Sequence, residues 1–204
     1  MVNQFNAEYI DKEFGKIATR VKTEISIYLI GGCGMSFRGL KETTKDVDIV
    51  FEKHSDFEVF CGALFGAQYW EPSKVEQEYA QLHASKMFRN NDDFHLDLFV
   101  ERVIKKLYLS KNMISRGELY KKYGNLSVYL LSKEDIFLFK GLASEGRERD
   151  LSDMRVIYPN LNWSVIKKEL QTQKLSEELV EHFKRRLVKF REIYQLDVPI
   201  LNKI

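Results

Sequence analysis

The chain predicts an α/β (α+β) fold, a mixed sheet with flanking helices followed by a C-terminal helical region, on three observations. Short β-rich runs recur up to about residue 131, separated by turn residues or amphipathic segments. From Ser132 onward the apolar spacing changes to that of helices. Two of the β-rich runs also carry aspartates between apolar neighbours, so part of the sheet has a polar face. We read residues 1–131 as the sheet-bearing half and 132–204 as the helical half.

Taken in order, Tyr9, Ile10, Phe14, Ile17, Ala18 and Val21 recur at helical spacing and predict a first helix over 7–23. Ser26–Ile30 is a short strand that stops at Gly31-Gly32. Met35–Leu40 predicts a turn of helix, and Asp46–Phe51 a strand with one polar and one apolar face at its start. Phe57–Phe65 reads as a helix. His83–Arg89 and Phe94–Val100 flank Asn90-Asn91-Asp92-Asp93 and predict a hairpin, and Leu119–Tyr123 with Leu126–Leu131 around Gly124-Asn125 predict another. Ser132-Lys133-Glu134-Asp135 has the form of a capped helix start. Helices are expected over 133–144, 148–157, 161–171 and 175–195. The last carries Leu175, Leu179, Phe183, Leu187, Phe190 and Tyr194 as one apolar stripe.

Composition narrows the class of protein. Of 204 residues, 44% are hydrophobic, enough for a core. The 32 basic and 30 acidic residues leave a net charge of +2, which does not by itself announce a nucleic-acid partner. Cys33 and Cys61 lack zinc spacing and suggest no disulfide scaffold, and the four histidines form no ligand spacing. No run approaches the roughly eighteen apolar residues of a membrane helix, and the first residues lack a signal-peptide core. The expectation is a soluble, cytoplasmic protein with no membrane partner.

The chemistry concentrates in "YLIGGCGMSFRGLKETTKDVDIVF", Tyr28 to Phe51. Asp46 and Asp48 point to one face of a strand, about 6.6 Å apart. Asp97 occupies a similar place in Phe94–Phe99, and if the two strands are neighbours, three carboxylates converge. At 4 Å, two such charges repel by about 4 kcal/mol at an effective dielectric of 20. The cluster wants a cation, and oxygen ligands suit Mg²⁺ or Mn²⁺. Gly31-Gly32 would let backbone N–H groups approach an anion with no Cβ in the way. On this reading the turn holds a triphosphate and the aspartates hold the metal.

An apolar-Gly-Gly turn, thirteen residues, Asp-apolar-Asp-apolar and a later apolar-Asp-apolar resemble the motif of the DNA polymerase β-type nucleotidyltransferase superfamily. More closely, the stretch is similar to small prokaryotic nucleotidyltransferases related to abortive-infection and toxin–antitoxin proteins. In those, a basic residue, a "TKDID"-like stretch and a later helix with Lys and Arg recur. Here these are Arg38, Thr44-Lys45-Asp46-Val47-Asp48, and Lys140 with Arg147 in "SKEDIFLFKGLASEGRERDLSD". The resemblance covers about residues 25–157. It implies a nucleotidyltransferase-type sheet and Mg²⁺-dependent transfer of a nucleoside monophosphate from an NTP to an acceptor hydroxyl. The acceptor would be RNA such as a tRNA end, a protein or a small molecule, with a toxin or antitoxin as cognate partner. The alternative it leaves is a non-catalytic nucleotidyltransferase-fold partner or antitoxin-like regulator.

The implied site comprises Asp46, Asp48 and Asp97 as catalytic residues and metal ligands. Gly31, Gly32, Cys33, Ser36, Arg38, Lys45, Lys140 and Arg147 would bind the nucleotide. The family often has Ser directly after the glycine pair; this chain has Cys33 there and Ser36 three residues later. Plainer roles stand beside these. Lys140 could be a surface lysine, Arg147 could pair with Asp150 or Asp153, and Arg38 and Lys45 could be surface charges. Lys184, Arg185, Arg186, Lys189 and Arg191 on the last helix are the candidate RNA contact, or a solvated face.

Overall fold

The computed structural model describes residues 3–72, 84–103, 107–143 and 148–204. Helix α1 (Ala7–Ala18) starts at an Asn6 side chain that accepts from the Tyr9 N–H, and ends earlier than its apolar pattern suggests. Val21, the last residue of that pattern, is buried from outside the helix. A central sheet follows from β2 (Ile25–Ile30), β4 (Asp46–Phe51), β5 (Lys86–Arg89), β6 (His95–Val100), β9 (Glu118–Tyr123) and β10 (Leu126–Leu130). Their spatial order is β5-β6-β4-β2-β10-β9. The sheet is mixed: β4 runs parallel to β6 and β10 parallel to β2, while the β2–β4, β5–β6 and β9–β10 pairs are antiparallel. Both expected hairpins form, although His83 lies outside the described residues.

Between β2 and β4 stands α2 (Gly31–Ser36), which begins on the glycines themselves instead of at Met35 as the sequence suggests. Two-residue strands β1 (Phe5–Asn6) and β3 (Thr43–Thr44) pair antiparallel and tie the chain's start to the loop ahead of β4. Helix α3 (His54–Gly66) follows β4. Residues that carried no sequence expectation form β7 (Arg102–Val103), β8 (Leu107–Tyr108) and α4 (Lys111–Arg116).

The helical half comprises α5 (Lys133–Ala143), α6 (Glu148–Ile157), α7 (Trp163–Gln173) and α8 (Glu177–Tyr194), then a 3₁₀ turn at Pro199–Asn202. Side-chain caps set several starts. Ser132 accepts from the Asp135 N–H at 3.2 Å, Asn162 from Ser164, and Ser176 from Leu179. Among the described residues, no helix is long and apolar enough to cross a membrane.

Strand alternation sends alternate side chains to two cores. Ile27, Leu29, Val47, Ile49, Leu96 and Leu98 pack with Ile10, Phe14, Phe57 and Phe60 of α1 and α3. Tyr28, Ile30, Val50 and Phe99 pack instead with Phe137, Leu138, Leu151, Met154, Phe183 and Leu187 of the helical half. The second core is continuous from sheet to helices. Asp46 and Asp48 share the face of Val50, and Asp97 that of Phe99, so all three carboxylates belong to the side that α5–α8 cover.

Candidate active site

Parallel pairing of β4 and β6 puts Asp48 in register with Asp97, and Asp46 with His95. The expected juxtaposition of the two strands is therefore present. Asp46 and Asp48 are half-buried, whereas Asp97 has 0% exposure. His95 also lies on this face, and its Nε2 is 2.9 Å from Asp93 Oδ1, at the hairpin turn.

The glycine turn meets this cluster directly. Gly31 has φ +65°, and a Cβ built there would lie 2.2 Å from Asp48 Oδ2. The Asp48 carboxylate thus rests against the Gly31 backbone, an approach that glycine alone permits. A Cβ on Gly32 would lie 2.6 Å from Thr44 Oγ1 and 3.6 Å from Lys41 Nζ. Thr44 is held in place twice: β3 pairs it with Phe5, and its hydroxyl donates to the Asp46 carbonyl at 3.0 Å. Turn, hydroxyl, ammonium and carboxylate converge on one backbone segment.

Of the other predicted nucleotide contacts, the side chains of Cys33, Ser36 and Arg38 are engaged elsewhere. The Cys33 side chain is fully buried in the core beneath α1 and α3. Burial first, then the charges of Asp48 and Asp46, push its thiol well above the usual range, so it is no nucleophile. Only its backbone is left for the turn. Ser36 is buried, and its hydroxyl donates to the Lys41 carbonyl at 2.9 Å, bracing the loop. Arg38 donates to the Gly34 and Leu130 carbonyls and to Glu118, away from the aspartates. Lys45 is half-buried at the start of β4.

Lys140 is not a surface lysine. Its side chain is 9% exposed, and its ammonium donates to Asp153 at 2.6 Å and Asp150 at 3.2 Å. Burial alone would lower its pKa, but these two carboxylates outweigh that and raise it. Asp153 also accepts from Lys41, both oxygens at 3.1 Å. Burial would raise the Asp153 pKa, and the Lys140 and Lys41 charges overcome it and hold the carboxyl below its ordinary range. Arg147 lies outside the described residues.

The basic run on α8 does not form one open face. Arg186 stands three residues after Phe183 and four before Phe190, on the apolar stripe, and is buried with them. Lys184 pairs with Glu181 and Lys189 with Glu148. Sequence reasoning missed Lys41 and left Thr44 without a role. The signal for both was their place in the short loop between the glycines and Asp46.

Among the described residues, no three His, Cys, Asp or Glu side chains are gathered into a preformed ion cage. A Mg²⁺ that arrives with a nucleotide asks less of the protein: one or two carboxylates, with phosphates and water completing the shell. Asp46 and Asp48, on one face beside the glycine turn, fit that demand.

No family model matches the chain, and neither does any curated protein. Among solved structures, the chain is similar to an antigenic nucleotidyltransferase-like protein from Paracoccidioides brasiliensis. That likeness has 15% identity and a TM-score of 0.47, and covers 89% of this chain and 95% of that one. It is also similar to JHP933 from Helicobacter pylori, with 14% identity, a TM-score of 0.44, and coverage of 97% of this chain and 94% of that one.

Proposed function

We propose that this protein is a nucleotidyltransferase that moves a nucleoside monophosphate from an NTP to an acceptor hydroxyl and releases pyrophosphate. The observation that carries the reading is the seating of the Asp48 carboxylate against the Cα of Gly31, with Asp97 in register behind it. The glycine turn and a carboxylate pair suited to a cation are thereby one site.

Each group then has a task. The backbone N–H groups of the glycine turn would receive the phosphates, beside the Asp48 carboxylate and the Thr44 hydroxyl that lie against it. Asp46 and Asp48 would hold Mg²⁺ or Mn²⁺, which would offset triphosphate charge and lower the pKa of the acceptor hydroxyl. Asp97 is enclosed, which favours a supporting role beside Asp48 over direct proton capture from a bulky acceptor. In the transfer, the acceptor oxygen bonds to the α-phosphorus, the bond to the β-phosphate oxygen breaks, and the hydroxyl proton is taken up at the carboxylate cluster.

The test is transfer of label from each α-labelled NTP, with Mg²⁺, to RNA, protein and small-molecule acceptors. Wild type should transfer label and release pyrophosphate. Asp46→Asn and Asp48→Asn should each lose about a hundredfold or more of the rate. Their melting temperatures should hold or rise, because each change removes a charge from a mutually repelling set. If both variants melt well below wild type, the aspartates are structural and the assignment fails. Nucleotide binding without transfer to any acceptor would support the non-catalytic regulator instead.

A further inference from the structure

We infer that Lys41 is the cation that meets the nucleotide's phosphates at the glycine turn, and that Asp153 of α6 positions it. The inference rests on the nucleotidyltransferase reading and names a residue that neither the motif nor the resemblance supplied. Arg38, Lys41 and Lys140 are cations whose ion pairs fix their place near the turn. Arg38 is engaged by two backbone carbonyls and Glu118. Lys140 is clamped between Asp150 and Asp153 with 9% of its side chain exposed. Lys41 keeps 33% exposure, and its ammonium stands 3.6 Å from where a Gly32 Cβ would be. It therefore borders the Gly32 backbone on the side where the Thr44 hydroxyl also stands.

The surrounding charges allow Lys41 to turn toward a ligand at little cost. Asp153 is shared between two ammonium groups and keeps its 2.6 Å contact with Lys140 when Lys41 swings to a phosphate oxygen. No buried carboxylate is stranded by that exchange, which would otherwise be expensive. The backbone of Lys41 stays fixed by the Ser36 hydroxyl on its carbonyl, so only the flexible stem needs to move. The device spans both halves of the chain: the lysine comes from the loop before β4, and its holder from a helix of the C-terminal region.

The experiment measures binding of ATP, tripolyphosphate and adenosine with Mg²⁺ by titration calorimetry, for wild type, Lys41→Met, Lys41→Gln and Lys41→Arg. Loss of one charge-assisted hydrogen bond should weaken ATP and tripolyphosphate alike by about tenfold in Lys41→Met. Lys41→Arg should stay within about threefold of wild type. Adenosine affinity should not change, a selectivity that a merely structural lysine would not produce. If Lys41→Met fails to fold, Lys41→Gln carries the test, since its amide can still donate to Asp153 without the charge. Equal affinity of wild type and the uncharged variants for tripolyphosphate would overturn the inference while leaving the nucleotidyltransferase reading intact. Should wild type bind neither ATP nor tripolyphosphate, both fall together.

Discussion

At Gly31 the conformation of one residue and the chemistry of the site depend on each other. Its φ of +65° disfavours any side chain by about 1 kcal/mol. A Cβ would also collide with the Asp48 carboxylate at 2.2 Å, a contact that no real Cβ sustains. Gly31→Ala should therefore cost roughly 2 kcal/mol or more in urea unfolding, from backbone strain plus displacement of Asp48. In an Asp48→Ala background the carboxylate part vanishes, so the same substitution should cost only about 1 kcal/mol, and the pair should be non-additive. Equal costs in both backgrounds would mean that Asp48 is not seated on the turn. The paired glycines and the two aspartates could be read from the sequence because their types and spacing are unusual for a buried strand. Lys41 could not, since its meaning comes from Asp153, 112 residues away in the chain.

At the scale of elements, apolar period identified most helices and the Ser132 cap marked the start of α5, because both act within a turn or so of their own position. The two-residue strands β1 and β3 left no such trace; they exist through pairing across the fold. The same holds for what docks α7. Arg116, at the end of α4, donates to Asp135 of α5 and to Glu169 of α7, the latter at 2.7 Å. Both carboxylates have 0% exposure, and Gln173 joins the set by donating to Glu169 at 3.0 Å and to the Tyr108 carbonyl at 2.8 Å. Removing Arg116 strands two enclosed carboxylates. Arg116→Met should destabilise the protein by about 3 kcal/mol or more in urea unfolding. Little change would show that this network adds nothing to the docking of α7 and that apolar packing alone secures it.

For the whole molecule, the helical half completes a core that the sheet begins. Tyr28, Ile30, Val50 and Phe99 belong to the same apolar cluster as Phe137, Leu151, Phe183 and Leu187. A fragment ending at residue 131 would expose that sheet face to water, an unfavourable change at about 25 cal/mol per Å². The fragment should fail to give a cooperative thermal transition as a monomer, while the full chain melts in one step. A fragment that melts cooperatively on its own would refute this dependence. The sequence by itself determined the α/β class, the switch to helices after residue 131, the two hairpins and the carboxylate pair on one strand face. These follow from period, turn chemistry and caps, which act over a few residues. Only the tertiary structure decided that Asp97 stands in register with Asp48, that Lys140 is locked to Asp150 and Asp153, that Arg186 turns inward, and that Lys41 borders the glycine turn. Those are contacts between segments far apart in the chain, and their geometry is set by how the helical half packs on the sheet.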